Sequence, residues 1–150
     1  MHIREMTEQD LDQVAALEQA CFSLPWSREA FAQELAAENA VYLVAREDGQ
    51  VVGYGGMRFV LDEFYVDNIA VAAQRRRQGV GRALVAALVE RARAGGGAFI
   101  TLEVRASNQG ATALYAEQGF AVAGRRRGFY THPKEDALLM TKELLQQEPR

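Results

Sequence analysis

This sequence has almost no cysteine, little histidine, few prolines and no long apolar run, and each shortage excludes a class of protein. Of its 150 residues one is Cys, two are His and three are Pro. A lone Cys21 cannot close an internal disulfide. With only His2 and His132 beside it there is no zinc-ligand spacing, so no metal site is predicted. Cys21 reads as a small core residue rather than a nucleophile, because no His stands near it in sequence to act as its base. No apolar stretch approaches the roughly 18 residues a membrane span needs, and Met1-His2-Ile3-Arg4-Glu5-Met6 leads straight into polar, helix-like sequence. The expectation is a cytoplasmic protein that engages no membrane. Repeats, low-complexity tracts and linkers are also missing. A single domain over residues 1–150 is predicted, with 145–150 a flexible tail, and this length buries roughly 70% of the unfolded surface.

Two familiar glycine signatures are absent as well. Position 84 is Leu, which excludes Gly-x-Gly-x-x-Gly, and Gly81 is followed by Arg82-Ala83 where a P-loop requires Lys and then Ser or Thr. What is present is Arg76-Arg77-Gln78-Gly79-Val80-Gly81, between strand-like Val66 to Val71 and an amphipathic helical stretch from Val80 to Arg93. Glycines at 79 and 81 permit a tight turn with exposed N–H groups, and the following helix points the positive end of its dipole there. Such a turn suits a pyrophosphate; the plain alternative is an ordinary strand-to-helix connection.

Charge divides along the chain. Residues 1–63 hold twelve Asp or Glu against four Arg, a net of −8; residues 64–150 hold eight against thirteen Arg or Lys, +5, which gives the overall −3. The basic half, with Arg75-Arg76-Arg77 and Arg125-Arg126-Arg127, suits a polyanionic cofactor, and the acidic half suits a basic peptide. Solvated surface charge would give the same counts. A pI near 5.5 argues against nucleic acid as partner.

Periodicity predicts alternating elements. Thr7 opens a Thr-x-x-Asp cap, and Leu11, Val14, Leu17 and Cys21 recur at helical spacing over Glu8 to Ala20. Ser27 caps a second short helix carrying Phe31 and Leu35. Val41 to Arg46 and Val51 to Phe59 form a hairpin about Asp48-Gly49, and Tyr65 to Val71 adds a further arm. After the Val80 helix, Gly95-Gly96-Gly97 marks a stop, Phe99 to Val104 a strand and Ala111 to Gln118 a helix; strands at Ala121 to Phe129 and Ala137 to Glu143 complete the chain. Antiparallel strands flanking one strand–helix–strand crossover predict an α/β fold with a mixed, mostly antiparallel sheet and about four helices.

A second motif, Ser107-Asn108-x-x-Ala111-x-x-Leu114-Tyr115-x-x-x-Gly119-Phe120, follows the strand carrying Leu102-Glu103-Val104. Together with the Arg76 to Gly81 loop it resembles the GNAT acetyltransferases. Cys21-Phe22-Ser23-x-Pro25-Trp26-Ser27, Asn68-Ile69-Ala70-Val71, Leu102 to Asn108, and Tyr130 followed by Glu135-Asp136-Ala137 are similar to the RimI-type ribosomal-protein alanine N-acetyltransferases, over about residues 1–144.

The resemblance implies a GNAT domain splayed between strands 4 and 5, with acetyl-CoA lying against Ile69, Ala70 and Val71 and its pyrophosphate on Arg76, Arg77, Gln78, Gly79, Val80, Gly81 and Arg82. Asn108 is similar to a family asparagine that contacts the cofactor, and it reads equally as a helix cap. Glu103 is similar to the family's general base, acting through water, and alternation places it with Thr101 on the face opposite Leu102. Tyr115 is similar to the tyrosine that protonates the leaving thiolate; its own neighbours, Leu114 and Phe120, equally favour core packing. The Val71 N–H is the implied carbonyl polariser. The implied acceptor is the N-terminal alanine of small-subunit ribosomal protein eighteen, with Trp26, Asp62, Glu63, Tyr65, Asp67 and Tyr130 as its groove. Phe64-Tyr65 departs from the family, which more often has a small residue followed by an acidic one or His. A lysine or small-amine acetyltransferase and a non-catalytic acyl-CoA-binding module are the alternatives. An α-amine of pKa ~7.8 is roughly one-third neutral at pH ~7.5, whereas a lysine of ~10.4 costs about 3.5 kcal/mol more to deprotonate, so one carboxylate suits the former.

Overall fold

The computed structural model describes residues 1–144; the tail 145–150, predicted to be flexible, lies outside the described residues. Seven strands, β1 (His2–Glu5), β2 (Ala40–Glu47), β3 (Gln50–Val60), β4 (Glu63–Val71), β5 (Phe99–Arg105), β6 (Ala121–Thr131) and β7 (Lys134–Glu143), form one sheet in the order β1-β2-β3-β4-β5-β7-β6. The helices are α1 (Leu11–Cys21), α2 (Arg28–Ala36), α3 (Val80–Ala94) and α4 (Gln109–Glu117). This is the mixed α/β architecture that periodicity predicts. Pairs β1·β2, β2·β3, β5·β7 and β6·β7 are antiparallel, and β4 runs parallel to β5. That parallel ladder joins Glu63, Phe64 and Tyr65 to Phe99, Ile100 and Thr101, although β4 continues to Val71 and β5 to Arg105.

The chain packs as two units: Met1–Arg58 with Asp67–Leu88, and Phe59–Val66 with Val89 onward. In the first, Asp48 (φ 52°) and Gly49 (φ 76°) make the left-handed turn that two-residue hairpins require. Phe31, fully buried, meets Trp26, Tyr42 and Tyr54 at ring separations of 5.4, 6.3 and 5.2 Å. Gly53 matters because a Cβ there would stand 2.9 Å from Val80 Cγ1 and 3.0 Å from both Leu84 Cδ1 and the Ala70 carbonyl, so its absence lets the first turn of α3 lie against the sheet. The second unit has its own core of Phe64, Ile100, Leu102, Val104, Phe120, Ala137 and Met140.

β1 is a strand where the sequence pattern points only to a lead into the first helix. His2-Ile3-Arg4-Glu5 has too few apolar residues to signal an element; pairing with β2, from His2 against Arg46 to Glu5 against Leu43, makes it one. Buried Asp10 secures that edge, accepting from Arg4 (2.8 and 2.9 Å), from Arg46 (2.8 Å) and from the Thr7 N–H (2.8 Å). Burial works to raise the Asp10 carboxyl, but the Arg4 and Thr7 hydrogen bonds and the charges of Arg4 and Arg46 outweigh it and hold the group below its ordinary value.

Candidate active site

In the first unit, β4 ends at Val71 and a short 3-10 turn, Ala73–Arg75, leads to the loop ahead of α3. Arg76, Arg77, Gln78 and Gly79 are exposed, whereas Val80 is buried and anchors the helix. Arg77 (φ 64°) and Gly79 (φ 88°) are left-handed, and no atom lies within 4 Å of the place a Cβ on Gly79 would take. Ala83 N–H donates to the Gly79 carbonyl at 3.0 Å, so the helical ladder starts there and the N–H groups before it have no acceptor within the helix. The head of this 15-residue helix, with the exposed loop residues Arg76, Arg77 and Gly79 before it and Arg82 in its first turn, carries the positive dipole end and the basic side chains that would suit a diphosphate. Arg76 is pinned by its Nε to the Val71 carbonyl (3.3 Å), which ties the loop to the strand end at Ile69, Ala70 and Val71. Cys21 Sγ reaches the same carbonyl at 3.6 Å and packs beside the core.

A buried carboxylate with no motif to announce it organises the neighbouring loop. Glu18, on the inner face of α1 and 1% exposed, accepts from the Trp26 N–H at 2.9 Å and from the Tyr54 hydroxyl. Asn68 Nδ2 donates to Tyr54 Oη at 3.1 Å and approaches Glu18 at 3.4 Å. The α1–α2 loop and β4 are thereby tied to one carboxylate. Its signal in the sequence is an acid seven residues beyond Leu11 and four beyond Val14, in register with the apolar stripe. Trp26 and Asp67 meet through Tyr42: the indole lies 6.4 Å from the Tyr42 ring, whose hydroxyl donates to Asp67 at 2.8 Å. Burial raises the Asp67 carboxyl despite Tyr42 and Arg58, the latter at 3.6 Å.

In the second unit, buried Ile100, Leu102 and Val104 alternate with half-buried Thr101, Glu103 and Arg105, which puts Glu103 on the face the pattern predicts. Glu103 Oε2 is buried and accepts no hydrogen bond from any described residue, and Arg126 Nε lies 3.6 Å from it. Tyr130 is raised by burial and then by the charge of Glu103, while the Arg105 guanidinium, 4.3 Å over its ring, opposes this. Arg105 also donates to the carbonyls of Pro133 (2.9 Å) and His132 (3.1 Å), fastening the β6–β7 turn to β5. Asn108 does cap α4, its Oδ1 accepting from the Ala111 N–H at 3.0 Å. The cap uses the oxygen alone, and the amide NH2 is a separate donor. Tyr115, 5.9 Å from the Phe120 ring, is pushed up to about 12, first by burial and then by Tyr130, and so stays protonated at neutral pH.

Asp62, Glu63 and Tyr65 stand elsewhere in this unit. The Asp62 backbone carbonyl accepts the Ala98 N–H at 2.7 Å where β5 begins, and Tyr65 donates to Glu63 at 2.5 Å while its ring meets Phe99 edge-on. Glu63 pairs with Phe99, four residues before Glu103, or roughly 13 Å along the strand. Phe64, buried beneath Gly95 and Gly97, is a core residue. Among the described residues no group of His, Cys, Asp and Glu could hold a metal ion, and no helix is long and apolar enough to cross a membrane.

A seven-stranded mixed sheet with a short parallel ladder and an Arg–Gly loop heading its crossover helix defines an α/β class shared with solved structures. The crystal structure of the ribosomal-protein-S18-alanine N-acetyltransferase from Escherichia coli superposes with a TM-score of 0.89 at 35% identity, covering 98% of this chain and 96% of that one. The ribosomal-protein-alanine N-acetyltransferase from Brucella melitensis gives 0.85 at 29%, covering 96% and 100%. The pattern of the acetyltransferase (GNAT) family matches residues 11–120, and the chain belongs to that family. In sequence it is 37% identical over 140 residues to the [ribosomal protein bS18]-alanine N-acetyltransferase of Escherichia coli (strain K12), covering 92% of this chain and 94% of the relative. It is 36% identical over 147 residues to the N-alpha-acetyltransferase RimI of Mycobacterium tuberculosis, covering 94% and 91%.

Proposed function

We propose that this protein transfers the acetyl group of acetyl-CoA to the N-terminal α-amine of a protein in the cytoplasm, with the N-terminal alanine of ribosomal protein bS18 as acceptor. The observation that carries the reading is Glu103, whose buried Oε2 lacks a hydrogen-bond donor among the described residues and so is ready to accept one from an amine or its bridging water. The family's acetyl donor is acetyl-CoA, which supplies a thioester carbonyl and a thiolate leaving group. Arg76, Arg77, Gln78, Gly79, Val80, Gly81 and Arg82 hold its diphosphate, Ile69, Ala70 and Val71 its amide-bearing arm, and Asn108 contacts it through Nδ2. The Val71 N–H polarises the carbonyl. Glu103 takes the amine proton as nitrogen attacks carbon. As the C–S bond breaks, the Tyr115 hydroxyl donates to sulfur. Because Tyr115 lies at about 12 and a thiol near ~8.5, outright transfer runs uphill, and the hydroxyl acts chiefly by hydrogen-bonding the developing thiolate. Trp26, Asp67 and Tyr130 contact the peptide, Asp62 and Glu63 contribute charge to its more distant residues, and Tyr65 a ring and hydroxyl beside them. Relatives named as bS18-alanine acetyltransferases over nine-tenths of the chain support the acceptor.

The test is acetylation by the full chain of a panel of N-terminal peptides, lysine peptides and polyamines, with Glu103→Gln in parallel. Peptides beginning with the alanine terminus of bS18 are expected to lead, and Glu103→Gln to lower kcat/KM by roughly 10² to 10⁴ with acetyl-CoA affinity retained. Faster turnover of polyamines or lysines would reject the acceptor class, and bound CoA without turnover of any amine would leave an acyl-CoA-binding module.

A further inference from the structure

We infer that Arg126 is a specificity-determining residue that favours α-amines over lysine by placing a fixed positive charge beside the carboxylate that receives the acceptor; this rests on the assignment of Glu103 above. Arg126 Nε is 3.6 Å from Glu103 Oε2, close enough for charge and too far for a hydrogen bond. The oxygen keeps its accepting capacity for an incoming N–H, yet the amine that donates must stand within a few ångströms of the guanidinium.

The position of Arg126 is built into β6. Arg126 pairs with Ala137 but Tyr130 pairs with Glu135, so Arg127, Gly128 and Phe129 face the single residue Asp136. Asp136 secures this bulge, accepting from the Gly128 N–H at 2.8 Å and from Arg125 at 2.7 Å, with Gly128 left-handed at φ 62°. The Phe129 ring lies 5.6 Å from the Arg126 guanidinium carbon. Tyr130 on β6 feels the charge of Glu103, together with those of Arg105 on β5 and Glu135 on β7. Arg105 is engaged by Glu135 at 3.3 Å and by the Pro133 and His132 carbonyls, whereas Arg126 is the cation that stands at the Glu103 carboxylate among the described residues.

The chemical consequence differs between the two amine classes. An α-amine is roughly one-third neutral at pH ~7.5 and can enter uncharged, whereas lysine is about 99.9% ammonium. Lysine must therefore enter as a cation and surrender its proton to Glu103 after binding, and the guanidinium repels it on that route. Arg126 is exposed, so screening reduces the effect to a modest factor.

The experiment measures kcat/KM of the full chain on two peptides, one with a free alanine terminus and no lysine, the other N-terminally blocked with one internal lysine. Wild type, Arg126→Gln, Arg126→Lys and Glu103→Gln are compared. The α-to-ε ratio should fall about three- to fivefold in Arg126→Gln and recover in Arg126→Lys, a split that a merely structural role would not produce. Raising salt from about 0.1 to about 1 M, which shortens the Debye length from about 10 to about 3 Å, should lower the wild-type ratio and reads the effect without any variant. An unchanged ratio in folded Arg126→Gln, with Glu103→Gln inactive, overturns this inference alone. Glu103→Gln turning over at the wild-type rate overturns the base assignment instead.

Discussion

At the scale of the residue, Tyr115 separates packing from chemistry. Its ring contacts Phe120 and its hydroxyl stays protonated to about 12, so at neutral pH it keeps a proton to donate. Tyr115→Phe keeps the ring; a purely structural hydroxyl would cost about 0.5–1.5 kcal/mol of stability and little activity. The expected pattern is the reverse: kcat falls by roughly 10² with the unfolding midpoint nearly unmoved. An acetyl donor with a more acidic leaving thiol should rescue the variant more than the wild type, and steady-state rates with both donors make the check. Asn108 caps α4 through its oxygen, and the nitrogen remains a separate donor for the proposed cofactor contact.

At the scale of the element, the loop before α3 is under two demands that a single substitution pulls apart. Gly81 lies in the first turn of α3 and is not left-handed, so Gly81→Ala should favour the helix by up to ~1 kcal/mol. If the diphosphate approaches that backbone, the same methyl should weaken acetyl-CoA by about tenfold or more. Calorimetric titration beside thermal unfolding decides it: higher stability with unchanged affinity would remove Gly81 from the binding loop. The α1–α2 loop makes a different prediction. Glu18→Gln loses an acceptor for Tyr54 or Trp26, so stability should drop about 1–3 kcal/mol and peptide KM rise while acetyl-CoA affinity holds.

At the scale of the whole molecule, the edge strand β1 is held by a charge cluster, and acid should release it. The Asp10 carboxyl lies below its ordinary value in the folded state, so its contribution is complete above pH ~4 and disappears as pH falls through that lowered value. Unfolding midpoints between pH 2 and pH 6 should therefore decline toward acid. Asp10→Asn should lose about 2–3 kcal/mol at neutral pH and show a flatter profile, because Arg4 and Arg46 are only partly exposed and would be left without their carboxylate.

Local chemistry by itself determined every element after β1: Asp48-Gly49 compels a left-handed turn, the Leu84–Leu88 stripe compels a helix, and Ile100, Leu102 and Val104 set which face of β5 carries Glu103. Those outcomes depend on neighbours within a few positions, so they are legible along one dimension. Only tertiary structure decided β1, whose four residues become a strand by pairing with β2 forty positions away. The same holds for Glu18, whose value lies in Tyr54, Trp26 and Asn68 converging on one oxygen pair, and for Arg126, which reaches Glu103 through a bulge held by Asp136. Asp62 and Glu63 make the converse case: beside Asp67 in the chain, they sit at the start of β4 with the onset of β5, because a strand carries each residue about 3.3 Å further along. Charge and periodicity are properties of a segment, whereas the desolvation and convergence that make a carboxylate functional arise from residues that meet only when the sheet has formed.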